Sequence, residues 1–138
     1  VLDLFAGTGV LGFESLSRGA RRADFVEINR KVVTRLKETN AELSANATIH
    51  SSKASDFLKK TQAKWDIVFV DPPFGEPFHY LEILRLLESH LTKEGFVYVE
   101  HPAHMQLDLN DYEIWKETKI GNVFCKLVRP KNESIKSL

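Results

Sequence analysis

The residues best suited to chemistry lie in Val68-Phe69-Val70-Asp71-Pro72-Pro73-Phe74. Consecutive prolines donate no N–H and hold φ near about −65°. Each also pushes the residue before it toward extended geometry. The result is a stiff rim whose carbonyls are not absorbed into a helix start. Asp71 sets a carboxylate beside the Pro72 carbonyl, and two acceptors held side by side suit an exocyclic –NH2, which offers two protons. Phe74 adds a flat face for stacking a base, worth roughly 1–3 kcal/mol. An aromatic amine is a poor nucleophile because its lone pair is delocalised into the ring. Gripping both N–H bonds turns that pair out of plane toward an electrophile, and the Asp71 carboxylate stabilises the positive charge that then develops. Asp71, Pro72, Pro73 and Phe74 are therefore the candidate catalytic residues, for a transfer that needs no metal. In a duplex the target base has to swing out to reach them.

A second constellation opens the chain. VLDLFAGTGVLG spells G-x-G-x-x-G at Gly7, Gly9 and Gly12. Gly7 and Gly9 tolerate backbone angles that other residues resist and let a ligand approach the main chain. The helix start beyond them offers unpaired N–H groups to an anion. Glu27 follows roughly twenty residues on, where a carboxylate can accept two ribose hydroxyls. To this point NAD and S-adenosylmethionine fit alike, since both present an adenosine. Asp3 begins to separate them. A carboxylate just before the loop opposes a pyrophosphate and favours the ammonium of the methionyl part of S-adenosylmethionine, directly or through water. The other reading of Asp3 is a buried carboxylate satisfying loop amides.

These groups need elements to position them. Val1–Phe5 reads as a strand, and Val10–Arg18 as a helix closed by Gly19, with Val10, Leu11, Phe13 and Leu16 as its apolar residues. A strand follows at Ala23–Ile28. Asn29 is the expected N-cap of a helix to about Ser44, with Val32, Val33, Leu36 and Leu43 on one side. A strand at Ala47–His50 and a helix at Ser52–Lys60 come next, with Phe57 and Leu58 turned inward. Trp65–Val70 is a near-continuous apolar run, as expected of a parallel strand buried on both faces. Phe78–Leu91 reads as an amphipathic helix through Leu81, Ile83, Leu84, Leu87 and Leu91, and Gly95–Glu100 as a strand. Tyr112–Ile120 and Val123–Val128 then alternate around Gly121-Asn122, a hairpin signal.

Repeated βα units imply an α/β fold with right-handed crossovers. Five parallel strands followed by a hairpin depart from the two equivalent halves of NAD-binding folds. The expected architecture is a Rossmann-like methyltransferase fold: a mostly parallel doubly wound sheet with a C-terminal antiparallel hairpin, over residues 1–130, with a polar tail at 131–138. The fourth strand then lies beside the first, so both constellations face one crevice.

Bulk properties narrow the partners. Formal net charge is zero, so no global field recruits a polyanion, and a nucleic acid has to be held by a local patch. Arg18, Arg21, Arg22, Arg30, Lys31 and Arg35 are the densest basic stretch, with solvated helix faces as the blander account. One cysteine, Cys125, excludes an internal disulfide and suits a reducing compartment. No apolar run approaches membrane-spanning length. His101-x-x-His104 lacks a third ligand nearby and crosses Pro102, so no metal site is expected. His101 is a candidate for the border of the substrate mouth, and Phe78, His79 and Tyr80 for a base-access lid or for helix packing. Trp65 and Trp115 are expected in the core or at a sheet edge, and Cys125 is expected to be buried. Val1 begins inside a strand, so a preceding segment is expected.

The run DLFAGTGVLGFESLSRGA, with FVEINR, SSKASDFL, FVDPPF, VYVEH and the closing hairpin, resembles the RsmD-like 16S ribosomal RNA guanine-N2 methyltransferases, from Val1 to about Pro130. The resemblance implies methyl transfer from S-adenosylmethionine to the N2 amine of a guanine in 16S rRNA, of the guanine(966)-N2 type. It also implies a small-subunit assembly particle as partner, the bacterial cytoplasm as location, and a monomer. By position, Asp3, Phe5, Gly7 and Gly9 would line the methionyl side of the cofactor. Glu27 would hold the ribose, Ile28 would lie against adenine, Ala54 would meet the adenine edge through its backbone, and Asp71 to Phe74 would handle the guanine. Lys53 stands where the family often has Asp or Asn, with Asp56 as a substitute for that contact. The family also carries a basic segment before the first strand. Three rivals remain: an adenine-N6 nucleic-acid methyltransferase, a nicotinamide oxidoreductase, and a catalytically idle RNA-binding module.

Overall fold

A computed structural model describes residues 1–73, 79–109 and 111–131. Their elements are β1 (Leu2–Asp3), α1 (Val10–Ser17), β2 (Ala23–Glu27), α2 (Arg30–Leu43), β3 (Ala47–Ser51), α3 (Ala54–Lys60), β4 (Trp65–Val70), α4 (Tyr80–Leu87), β5 (Leu91–Pro102), β6 (Tyr112–Ile120) and β7 (Val123–Pro130), with a 3-10 turn at Glu88–His90. The seven strands form one sheet in the order β3-β2-β1-β4-β5-β7-β6. The first five are parallel, and β7 enters antiparallel between β5 and β6. This is the Rossmann-like methyltransferase arrangement with its terminal hairpin.

Alternation along the strands builds a core on each face of the sheet. On one face Leu2, Leu4, Val26, Val68, Val70, Val97 and Val99 pack with Leu58 of α3 and with Tyr80, Ile83, Leu84 and Leu87 of α4. On the other, Phe25 and Ala23 pack with Leu36 of α2 and Phe13 of α1. Val26 and Phe25 are neighbours in sequence yet serve opposite cores, as a period of two requires. Local signals also hold. The Asn29 side chain accepts the N–H groups of Lys31 and Val32 at the start of α2. Gly19 takes a φ of 111° just past α1, and Gly121 takes 58° in the hairpin turn.

Several expectations need correction. The helix read over Phe78–Leu91 is helical from Tyr80, tightens at Glu88–His90, and gives way to β5 at Leu91 rather than Gly95; Phe78 lies outside the described residues. The reason is His90, whose ring nitrogens lie 2.9 Å from the Ala63 carbonyl oxygen and 2.8 Å from that of Leu58. Those contacts fix the chain beside the β4 entrance and start the strand early. The helix read from Ser52 begins at Ala54, because Lys53 is extended. β4 is not buried throughout. Its register with β5 shifts between Trp65 and Ile67, leaving Asp66 and Ile67 outward. Val10, Leu43 and Leu81 are exposed. Val10 and Leu43 occupy helix ends, and Leu81 lies off the Tyr80-Ile83-Leu84-Leu87 stripe.

Trp65 is buried and donates its indole N–H to Asp24, while Trp115 is exposed and stacks on Phe96. Cys125 is half-buried. Among the described residues no helix is long and apolar enough to cross a membrane.

Candidate active site

A cavity of about 860 Å³ opens at the carboxyl ends of the strands. Its walls bring together Phe5 and Gly7 from the loop after β1, Glu27 and Ile28 from the end of β2, Ala54 from the head of α3, and Asp71, Pro72 and Pro73 from the end of β4. Residues as distant in sequence as Phe5 and Pro73 meet here because β1 lies between β2 and β4. Phe74 lies outside the described residues. Asp3 and Gly9 do not line the cavity; both are buried behind the loop.

Each glycine of the motif does different work. Gly7 has a φ of 53°, and nothing lies within 4 Å of the point where a Cβ would stand, so a ligand can approach the backbone. Gly9 caps α1 with a φ of 82°. A Cβ at Gly12 would come 2.1 Å from the Phe25 ring, so this glycine lets α1 pack on β2.

Glu27 ties the loop after β1 to the start of α2. Its Oε1 accepts the Gly7 N–H at 3.0 Å, and its Oε2 accepts the Asn29 N–H at 2.9 Å. Each oxygen keeps a further lone pair for a ligand hydroxyl. Ile28, exposed on the rim, offers an apolar surface to a flat ring. Lys53, Ser52 and Ser55 close the far wall.

Asp3 hydrogen-bonds to the backbone of Phe5 and Gly12, and burial pushes its carboxyl up to about 6. Its Oδ1 is buried without a partner among the described residues. Asp71 is half-buried at the rim and is raised to about 7, first by desolvation, then by a hydrogen bond to Glu100, with the charges of Glu100 and Asp3 adding to the effect. Glu100 was read in the sequence only as the end of a strand. The signal that marks it is a carboxylate near the carboxyl end of the strand that follows Asp-Pro-Pro. His79 and Glu82 also line the cavity.

His101 does not border the cavity. It is buried within β5 between Tyr80 and Phe124, and burial lowers its pKa. No cluster able to hold a metal forms among the described residues.

The family described as "conserved hypothetical protein 95" matches residues 1–129. An Escherichia coli K12 protein named ribosomal RNA small subunit methyltransferase D is 43% identical over 131 residues, covering 91% of this chain and 66% of the relative. The Haemophilus influenzae protein of the same name is 39% identical, covering 91% of this chain and 69% of the relative. The chain thus spans about two thirds of the length of these relatives. A solved Escherichia coli structure titled "Putative methyltransferase" superposes with a TM-score of 0.86 at 35% identity, covering 95% of this chain and 76% of that one.

Proposed function

The chain belongs to the conserved hypothetical protein 95 family, and from that membership we propose that it is the methyltransferase domain of an rRNA guanine-N2 methyltransferase. It uses S-adenosylmethionine, acts on small-subunit rRNA in the bacterial cytoplasm, and carries out the guanine(966)-N2 type of reaction. The observation that carries this reading is the single cavity shared by the glycine loop, Glu27 and Asp71-Pro72-Pro73. The names of the relatives support rRNA as the substrate class.

The residues present fit the donor. Gly7 is open to close approach, Glu27 is an acceptor for ribose hydroxyls, Ile28 covers a ring face, and the unpaired Oδ1 of Asp3 places negative charge behind the loop. When bound, S-adenosylmethionine supplies a methyl group activated by a sulfonium. Glu27 and the loop fix the donor's position. Asp71 and the Pro72 carbonyl accept hydrogen bonds from the two N–H groups of the target amine and hold its nitrogen toward the donor. Positioning of this kind is worth several kcal/mol of the barrier.

Transfer is tested with small-subunit particles and with duplex DNA, followed by nucleoside mass spectrometry. N2-methylguanine in rRNA is expected, with Asp71→Ala lowering the rate by about 100-fold or more. Methyladenine, or rRNA binding with no transfer and no effect of Asp71→Ala, would overturn the reading.

A further inference from the structure

Glu100 takes no part in the mechanism above, yet it touches Asp71. Val70 pairs with Val99 across β4 and β5, so Asp71 and Glu100 follow as register neighbours on one face of the sheet. Burial and the neighbouring Glu100 carboxyl raise Asp71, as expected where two carboxyls meet and one keeps its proton. Glu100 is itself held. The Tyr98 hydroxyl donates to its Oε1 at 2.6 Å, and the Cys125 thiol, on the paired β7 residue, lies 3.8 Å from the same oxygen. The Tyr80 hydroxyl donates to the Glu100 carbonyl at 2.9 Å, tying the start of α4 to the same point.

We propose that Glu100 is a positioning residue for Asp71: anchored by Tyr98, it fixes the Asp71 carboxyl at the end of β4 and shares the proton that the target amine gives up. The inference rests on the functional reading above for its reaction. The amine nitrogen uses its lone pair to form the N–CH3 bond as the C–S bond breaks and its electron pair stays on sulfur. The nitrogen, now positive, releases one proton to the Asp71–Glu100 pair, which until then holds one proton and a single negative charge. The pair, then carrying two protons, returns one to water. The groups facing Asp71 are Asp3 from β1, Glu100 and Tyr98 from β5, Tyr80 from α4 and, through Glu100, Cys125 from β7; Glu27, Lys53, His79 and Glu82 line the cavity around it. Lys53 and His79 are exposed, and the like charges of Glu100 and Asp3 favour the protonated carboxyl.

The test is Glu100→Gln, with Tyr98→Phe as a milder variant and thermal melting as a check on folding. Carbon-13 NMR titration of the Asp71 carboxyl in the full chain needs no substrate. The Asp71 titration is expected to move to lower pH in Glu100→Gln, and less far in Tyr98→Phe. In the transfer assay kcat is expected to fall by about 10- to 100-fold, with KM for S-adenosylmethionine unchanged and the acidic limb of the pH profile moved to lower pH. An Asp71 titration unmoved by Glu100→Gln, or a wild-type kcat and pH profile, would overturn the proposal. A wild-type chain without guanine transfer would instead overturn the functional reading, and the NMR titration would still decide the Asp71–Glu100 coupling.

Discussion

Gly12 lies against the ring of Phe25, with Cε1 2.1 Å and Cζ 2.5 Å from the point where a Cβ would stand. The last glycine of the loop motif therefore answers to helix–sheet packing. Gly12→Ala is expected to cost about 1–3 kcal/mol through overpacking, read as a lower Tm. Phe25→Leu should relieve part of that cost, so the double variant should be more stable than the sum of the single effects implies. Additive losses would show that the two residues are not in conflict.

Asp3 makes stability depend on pH. Its folded-state pKa of about 6 lies above the reference value of 3.8. Between those values the folded state retains a proton that the unfolded state has released, so stability falls as pH rises through the interval and stays low above it. The full effect is at most roughly 3 kcal/mol. Asp3→Asn should remove this slope, leaving the variant relatively more stable at pH 8 than at pH 4 when compared with wild type by urea unfolding. Parallel pH curves for the two proteins would rule the account out. The same variant separates the two sequence readings of Asp3. If its charge faces the donor's ammonium, affinity for S-adenosylmethionine drops about 10-fold or more; if it serves only the loop amides, affinity holds.

His90 is a buried polar junction. Its ring nitrogens lie 2.9 Å and 2.8 Å from the carbonyl oxygens of Ala63 and Leu58. His90→Ala leaves two buried acceptors and a void, at a cost of roughly 2–4 kcal/mol. Urea unfolding with an unchanged m-value is the measurement, and a loss under about 0.5 kcal/mol would contradict it.

The sequence was most legible where structure depends on neighbours along the chain. The Asn29 cap, the Gly19 stop and the Gly121 turn are local events, and each appears where its residue type places it. The place of the fourth strand beside the first was legible because repeated βα units with short connections allow few topologies. Glu100 was not, since its meaning comes from a neighbour twenty-nine positions away that reaches it only through the Val70–Val99 register. His101 was misjudged for a similar reason. Alternation in β5 sends it to the opposite face from Glu100, under Tyr80 and Phe124. The exposed Val10, Leu43 and Leu81 show that apolar character alone does not say where a helix meets its sheet.

Glu27 reaches backward to Gly7 and forward to Asn29. Folding therefore immobilises this side chain before anything arrives. A ligand hydroxyl meeting it would find a preorganised acceptor, with little rotamer entropy left to lose on association. The two backbone donors also stabilise the carboxylate's charge, so one pair of contacts both closes the loops and sets the acceptor's direction.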